Sequence, residues 1–326
     1  MVVARAWIVR VQRRRIIDSP LLGVSLLLVS LVLAGLTVRA YLDDRAAARA
    51  VPPATPVTVL VRATPPPATP PVPADLALSA RAAILVDAET GAVLYQHNAD
   101  EPLAPASTAK IVTALTALRY AQSEEVVTIA PEDVVDPAVD SSMGLRAGDT
   151  VTVHDLLVGM FLPSGDDAAK ALARFVGGRL PGAPTAPTDR FVAAMNDEAA
   201  RLGMTGSHFI QPAGLDVPGQ LVTARGLALA TRALLADPTL LPIVAIPAAQ
   251  VRVGGPYARV LSLTNTNQLL SQEGVYGVKT GTTQQAGQCL IAAYRAPTGR
   301  EIAVILDSQD RYADARALLG LPAAKG

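Results

Sequence analysis

Three short groups of residues have types and spacings suited to chemistry. Ser107-Thr108-Ala109-Lys110 sets a hydroxyl and an amine three positions apart, on one face of a helix. A serine alcohol becomes a nucleophile when a base takes its proton. A lysine serves as that base when burial or nearby positive charge lowers its pKa. Pro105 comes just before, so Ser107 is expected in a first helical turn, where free backbone N–H groups stabilise an oxyanion. Ser164-Gly165-Asp166 offers a second hydroxyl, able to relay a proton or simply to cap a helix. Lys279-Thr280-Gly281 offers a positive charge, a hydroxyl and a residue that permits close backbone approach. A strand with those features can pair with an extended peptide, or be an edge strand guarded by lysine. Taken singly, each group has an ordinary structural reading.

The elements that must position these groups follow from periodicity and punctuation. Residues 82–86 and 92–97 are β-prone runs around the turn Asp87-Ala88-Glu89-Thr90-Gly91, a hairpin. A helix is expected over 105–120, with Ile111, Leu115 and Leu118 on one face. A second follows Thr152, and a third begins at Asp166-Asp167 and stops at Gly177-Gly178. Further helices are expected over 189–202, 223–236 and 312–319, the last stopped by Gly320. Strands are expected over 275–282, 288–295 and 301–308. Strands at both ends with helices between predict an α+β fold, one antiparallel sheet and a helical lobe.

Composition excludes several classes. The chain has 326 residues, 50% of them hydrophobic, which is enough for a core. One cysteine, Cys289, rules out an intramolecular disulfide framework and a cysteine-based zinc site. His97, His154 and His208 form no H-E-x-x-H pattern. The formal net charge is zero, but residues 1–74 carry nine Arg and three Asp, so residues 75–326 are net negative. That balance, with an aromatic content of 4%, argues against nucleic acid as a partner.

The N-terminus reads as a membrane signal. Five arginines precede an uncharged apolar run over residues 21–38, just long enough to span a bilayer core of about 30 Å. The run exceeds a usual signal-peptide core and ends at a poor cleavage site, so an uncleaved anchor is expected. Residues 1–20 then lie in the cytoplasm and the rest outside, at the cell membrane. Residues 39–74 form a linker with nine prolines over 51–73, a semi-rigid polyproline spacer or a plain tether. The folded domain is expected over 75–326.

As an ordered set, Ser-x-x-Lys, Ser-x-Asp/Asn and Lys-Thr-Gly come close to the signature of serine β-lactamases and penicillin-binding proteins. The sequence resembles the low-molecular-mass penicillin-binding proteins, the D-alanyl-D-alanine carboxypeptidases, over about residues 75–322. Similar stretches include 83–98, 142–169, 195–215 and 277–290. The resemblance implies the β-lactamase/transpeptidase-like fold, a five-stranded antiparallel sheet flanked by helices.

It also implies roles. Ser107 would be acylated by the penultimate D-Ala of a peptidoglycan stem peptide ending in D-Ala-D-Ala, with Lys110 as base. Ser164 would pass a proton toward the leaving amine. Lys279 and Thr280 would help bind the terminal carboxylate beside Gly281, with Arg311 near it. The N–H groups of Ser107 and Thr282 would form the oxyanion hole. β-Lactams would inhibit by trapping the acyl-enzyme, and no metal or organic cofactor is needed. Alternatives implied by the same residues are a D,D-endopeptidase, a serine β-lactamase (for which no deacylating glutamate motif stands out), and a catalytically weak peptidoglycan-binding protein.

Two departures stand out. The second motif normally ends in Asn, and here it is Asp166. An ionised Asp cannot donate a hydrogen bond, and beside Lys110 it favours the charged amine, a poor base. A protonated Asp166 or slow turnover is therefore expected. The second expected departure is architectural: no β-rich domain or C-terminal amphipathic anchor is expected after the last helix, and the N-terminal helix and linker would take over the anchoring role.

Overall fold

The computed structural model describes residues 76–182 and 185–323. The expected anchor over 21–38 and the whole linker over 39–74 lie outside the described residues. Among the described residues no helix is long and apolar enough to cross a membrane.

A five-stranded antiparallel sheet organises the domain. Its strands are β1 (Ala82–Asp87), β2 (Val93–His97), β7 (Val275–Thr283), β8 (Gly287–Ala296) and β9 (Gly299–Ser308), in the order β2-β1-β9-β8-β7. The central strands bury both faces. Ile84, Ile302, Val304 and Ile291 point into the main core under the helical lobe. Leu85, Ile305, Leu290 and Ala292 point the other way, toward Ala315 and Leu318. Burial on both faces explains why these strands read as continuous apolar runs rather than as alternation.

The lobe is built from α1 (Lys110–Tyr120), α2 (Val153–Phe161), α3 (Asp166–Gly177), α4 (Pro187–Arg201), α5 (Ala224–Ala236) and the short α6 (Leu240–Val244). A last helix, α7 (Arg311–Leu319), covers the opposite face of the sheet. Local chemistry sets the helix starts. The Thr152 hydroxyl accepts from the Asp155 N–H at 3.1 Å, and Thr223 accepts from the Gly226 N–H at 3.0 Å. Asp310 caps α7 by accepting from Tyr312 and Ala313. α4 starts at Pro187 rather than 189, because proline suits the first helical position.

Two expectations need correction. The segment from Pro105 is not one α-helix: residues Ala106–Ala109 form a 3-10 turn, and α1 begins at Lys110. The middle of the chain is also not purely helical. Short strands β3 (Val126–Thr128) and β4 (Thr150–Thr152) pair with each other, and β5 (Ala248–Val253) forms a hairpin with β6 (Arg259–Thr264). The sequence did carry a signal for the hairpin: Gly254-Gly255-Pro256 separates two runs in which Val251, Val253 and Leu263 are buried while Arg252 and Val260 face outward.

Candidate active site

The three sequence groups meet at one end of the lobe, where β7, the edge strand, passes the turn that carries Ser107. Gly281 is what lets the strand come so close. A Cβ on it would stand 2.8 Å from the Ala106 Cβ and 2.8 Å from the Ser107 backbone nitrogen. A cavity of about 390 Å³ opens there, lined by Ser107, Ser164, Thr280, Gly281, Thr282 and Arg311. Ser141, Thr266, Gln268, Gln288 and Tyr312 complete its wall.

Lys110 is wholly buried beneath this cavity. Its Nζ lies 2.8 Å from Ser107 Oγ, 2.6 Å from Asp166 Oδ1 and 2.6 Å from the Ala213 carbonyl oxygen. Burial lowers the Lys110 pKa from its ordinary value, and the Asp166 carboxylate opposes that shift without reversing it. Lys279 is buried as well. Its ammonium donates to Ser164 Oγ at 2.8 Å and to the Thr280 carbonyl at 2.9 Å. Burial first, and then the like charge of Lys110, push its pKa well below the usual lysine range. The reading of Lys279 as an exposed guard on an edge strand therefore fails. A buried lysine cannot repel an approaching strand.

Ser164 sits on the turn between α2 and α3 with φ +68°. That left-handed conformation is uncommon for a residue with a Cβ. It faces Ser164 toward Lys279 and allows α3 to begin at once with Asp166. Arg311 opens α7 and reaches back to β7. It donates to the Gly281 carbonyl at 2.8 Å, to the Cys289 carbonyl at 3.0 Å and to the Thr282 hydroxyl. A guanidinium fixed by three such acceptors adds a placed positive charge to the cavity wall.

The structure adds residues that the motifs did not reveal. Thr266, just after β6, lies with its hydroxyl 2.6 Å from the Thr280 hydroxyl. Ala213 supplies its carbonyl to Lys110 from the segment Gln211-Pro212-Ala213-Gly214. Gly214 permits this, since a Cβ there would stand 1.9 Å from the Ala106 carbonyl oxygen. Asp167 is buried and accepts from the Ser142 hydroxyl at 2.6 Å and from the backbone N–H groups of Met143, Gly144 and Leu145. It thereby fixes the loop beside Ser141. Runs of Gly and Pro near 211–219 and a second acid after Asp166 were the available signals, but neither names a partner.

An alcohol beside a buried amine, a second alcohol beside a second buried amine, and positive charge along a strand edge can bind a carboxylate-ended peptide and take up its acyl group. The comparisons agree with that chemistry. A family profile described as D-alanyl-D-alanine carboxypeptidase matches residues 68–310. The Bacillus subtilis D-alanyl-D-alanine carboxypeptidase DacF is 32% identical over 235 residues, 71% of this chain and 58% of that protein. The Escherichia coli D-alanyl-D-alanine carboxypeptidase DacC is 35% identical over 246 residues, 71% of this chain and 57% of that protein. The chain thus spans less than two thirds of the length of these two relatives. The crystal structure of a Streptomyces DD-transpeptidase superposes with a TM-score of 0.70 at 30% identity, covering 75% of this chain and 97% of that one. With the profile matched over most of its length, the chain belongs to the D-alanyl-D-alanine carboxypeptidase family.

Proposed function

We propose that the protein is a serine-type D-alanyl-D-alanine carboxypeptidase that removes the terminal D-alanine from peptidoglycan stem peptides through an ester on Ser107. The observation that carries this reading is the 2.8 Å contact between Ser107 Oγ and the buried amine of Lys110. Lys110 is the base for Ser107. The N–H groups of Ser107 and Thr282 receive the oxyanion. Ser164 hands a proton to the departing D-alanine amine, and its place beside Lys279 supports that role. Lys279, Thr280 and Arg311 attract the substrate carboxylate, while Gly281 lets the peptide's acyl carbon approach Ser107. Penicillins, acting as acyl donors, form a stable ester on the same oxygen.

The enzyme is held at the cytoplasmic membrane by residues 21–38, with its catalytic domain on the cell-wall side. The arginine cluster before that run supports this orientation. Protease added to intact spheroplasts should remove the catalytic domain and leave the N-terminal segment with the membrane.

The activity is tested by incubating the full-length chain with a peptide ending in D-Ala-D-Ala and assaying free D-alanine. Release that disappears in Ser107→Ala supports the reading. If the parent binds the peptide without releasing D-alanine, the chain is a binding homologue. If it cuts only cross-linked dimers, it is an endopeptidase.

A further inference from the structure

The nitrogen of Lys110 has three close neighbours, and all three are oxygen acceptors: Ser107 Oγ, Asp166 Oδ1 and the Ala213 carbonyl. An alkylammonium has three N–H bonds, so this shell fits the charged amine at rest. A charged amine cannot take the Ser107 proton. An acceptor for the surplus proton must therefore exist before Ser107 can attack. The Asp166 carboxylate, 2.6 Å from the nitrogen, is such an acceptor.

Resting on the proposed acyl-transfer function, we propose that Asp166 is the terminal proton holder of a Ser107–Lys110–Asp166 relay. The resting pair is ammonium and carboxylate. Transfer of one proton along the 2.6 Å contact gives a neutral amine and a carboxylic acid with no change in net charge. Ser107 Oγ then bonds to the acyl carbon while its proton passes to the Lys110 amine, which becomes an ammonium again. The carbon–nitrogen bond breaks, the leaving nitrogen takes a proton from Lys110 by way of Ser164, and the proton on Asp166 returns to Lys110. Every proton is accounted for without exchange with solvent.

In water an amine holds its proton more tightly than a carboxylate by about six pH units. Burial narrows that gap, because the ion pair must be stripped of water and the neutral pair need not be. Lys110 is fully buried and the Asp166 side chain is 4% exposed. The other charged groups bearing on the pair are Asp140 and Asp167 on the lobe side, which favour the ammonium, and Lys279, which opposes it. Arg311 acts on Lys279 from the far wall.

The consequence is a pH signature. A relay of zero net charge needs no deprotonation to become active, so acylation shows no rising limb over about pH 6–9. Asparagine at 166 keeps an oxygen for Lys110 but cannot hold a proton, so Lys110 must then lose its proton to solvent. The test is the acylation rate of the full-length chain by a fluorescent penicillin, measured in single turnover across that range for the parent and Asp166→Asn, with Ser107→Ala as the blank.

The expected result is a parent rate without a rising limb, and an Asp166→Asn rate that is slower than the parent's and climbs with pH until Lys110 is neutral, a limb that loss of the opposing carboxylate moves toward lower pH. A parent rate that itself climbs with pH overturns the relay and leaves the acyl-transfer reading standing. It decides the matter even where Asp166→Asn fails to fold. An Asp166→Asn profile that matches the parent's in both shape and rate also overturns the relay, because Asp166 is then dispensable as a proton holder. Absence of acylation in the parent at every pH overturns the acyl-transfer reading, and the relay with it.

Discussion

Gly281 and Ser107 stand so close that a single added methyl on the glycine would lie 2.8 Å from the serine's backbone nitrogen. The contact holds strand β7 against the turn that carries Ser107.

Gly281→Ala should therefore push β7 and the Ala106–Ala109 turn apart. A displacement of about 1 Å between reacting groups costs about 100-fold in rate, and overpacking costs about 1–3 kcal/mol of stability. Single-turnover acylation and thermal melting, run side by side, measure both. A variant that keeps the parent's acylation rate would show that the contact does not position Ser107.

Lys279 is expected to be held at a cost to stability. Its pKa lies well below the ordinary value because of burial and the nearby Lys110 charge. The folded protein thus gives up this proton at lower pH than the unfolded chain does. The destabilisation is full where the folded state must carry the charge, and it fades as pH rises through the folded pKa toward the unfolded one. Lys279→Met should raise stability by about 1–3 kcal/mol at low to neutral pH, gain less in alkali, and abolish turnover. Melting curves at several pH values check the sign, and a gain that grows with pH would contradict it.

Asp167 should matter more for the loop beside Ser141 than for chemistry. Its buried carboxylate accepts from Ser142 and from three successive backbone N–H groups. Asp167→Ala takes the acceptor from the Ser142 hydroxyl and from the Met143 and Leu145 N–H groups, at about 1–3 kcal/mol. Limited proteolysis should then cut near 141–146, where the parent resists. An uncut loop in the variant would mean other contacts hold it.

Cys289 should be inert. It is buried on β8, opposite Gly281, and burial pushes its thiol up to about 11. At pH 8 roughly one thiol in a thousand is then ionised. A thiol reagent should label one site per chain in denaturant and none in the native protein. Rapid native labelling would contradict this burial.

Much of this fold could be read from the residues. Residues such as Ile302-Ala303-Val304-Ile305-Leu306 mark strands, and Thr152 and Gly320 mark helix ends, because those signals act within a few positions. The three groups of residues around Ser107, Ser164 and Lys279 were legible because the spacing within each is local and their order along the chain matches the family signature. What stayed hidden depends on contacts across the chain. Ala213 reaches Lys110 through a backbone carbonyl, which every residue has, over a separation of 103 positions. Thr266 meets Thr280 only because the hairpin of β5 and β6 delivers it there. Burial of Lys279 was equally invisible, since a lysine on a strand reads first as solvent-facing.

Acyl transfer to Ser107 is tested most simply by an intact-mass measurement of the full-length chain after incubation with a penicillin, beside Ser107→Ala. An activated Ser107 gives one covalent adduct on the parent, carried by Ser107, and none on the variant. An adduct on both proteins, or on neither, would contradict an activated nucleophile at Ser107.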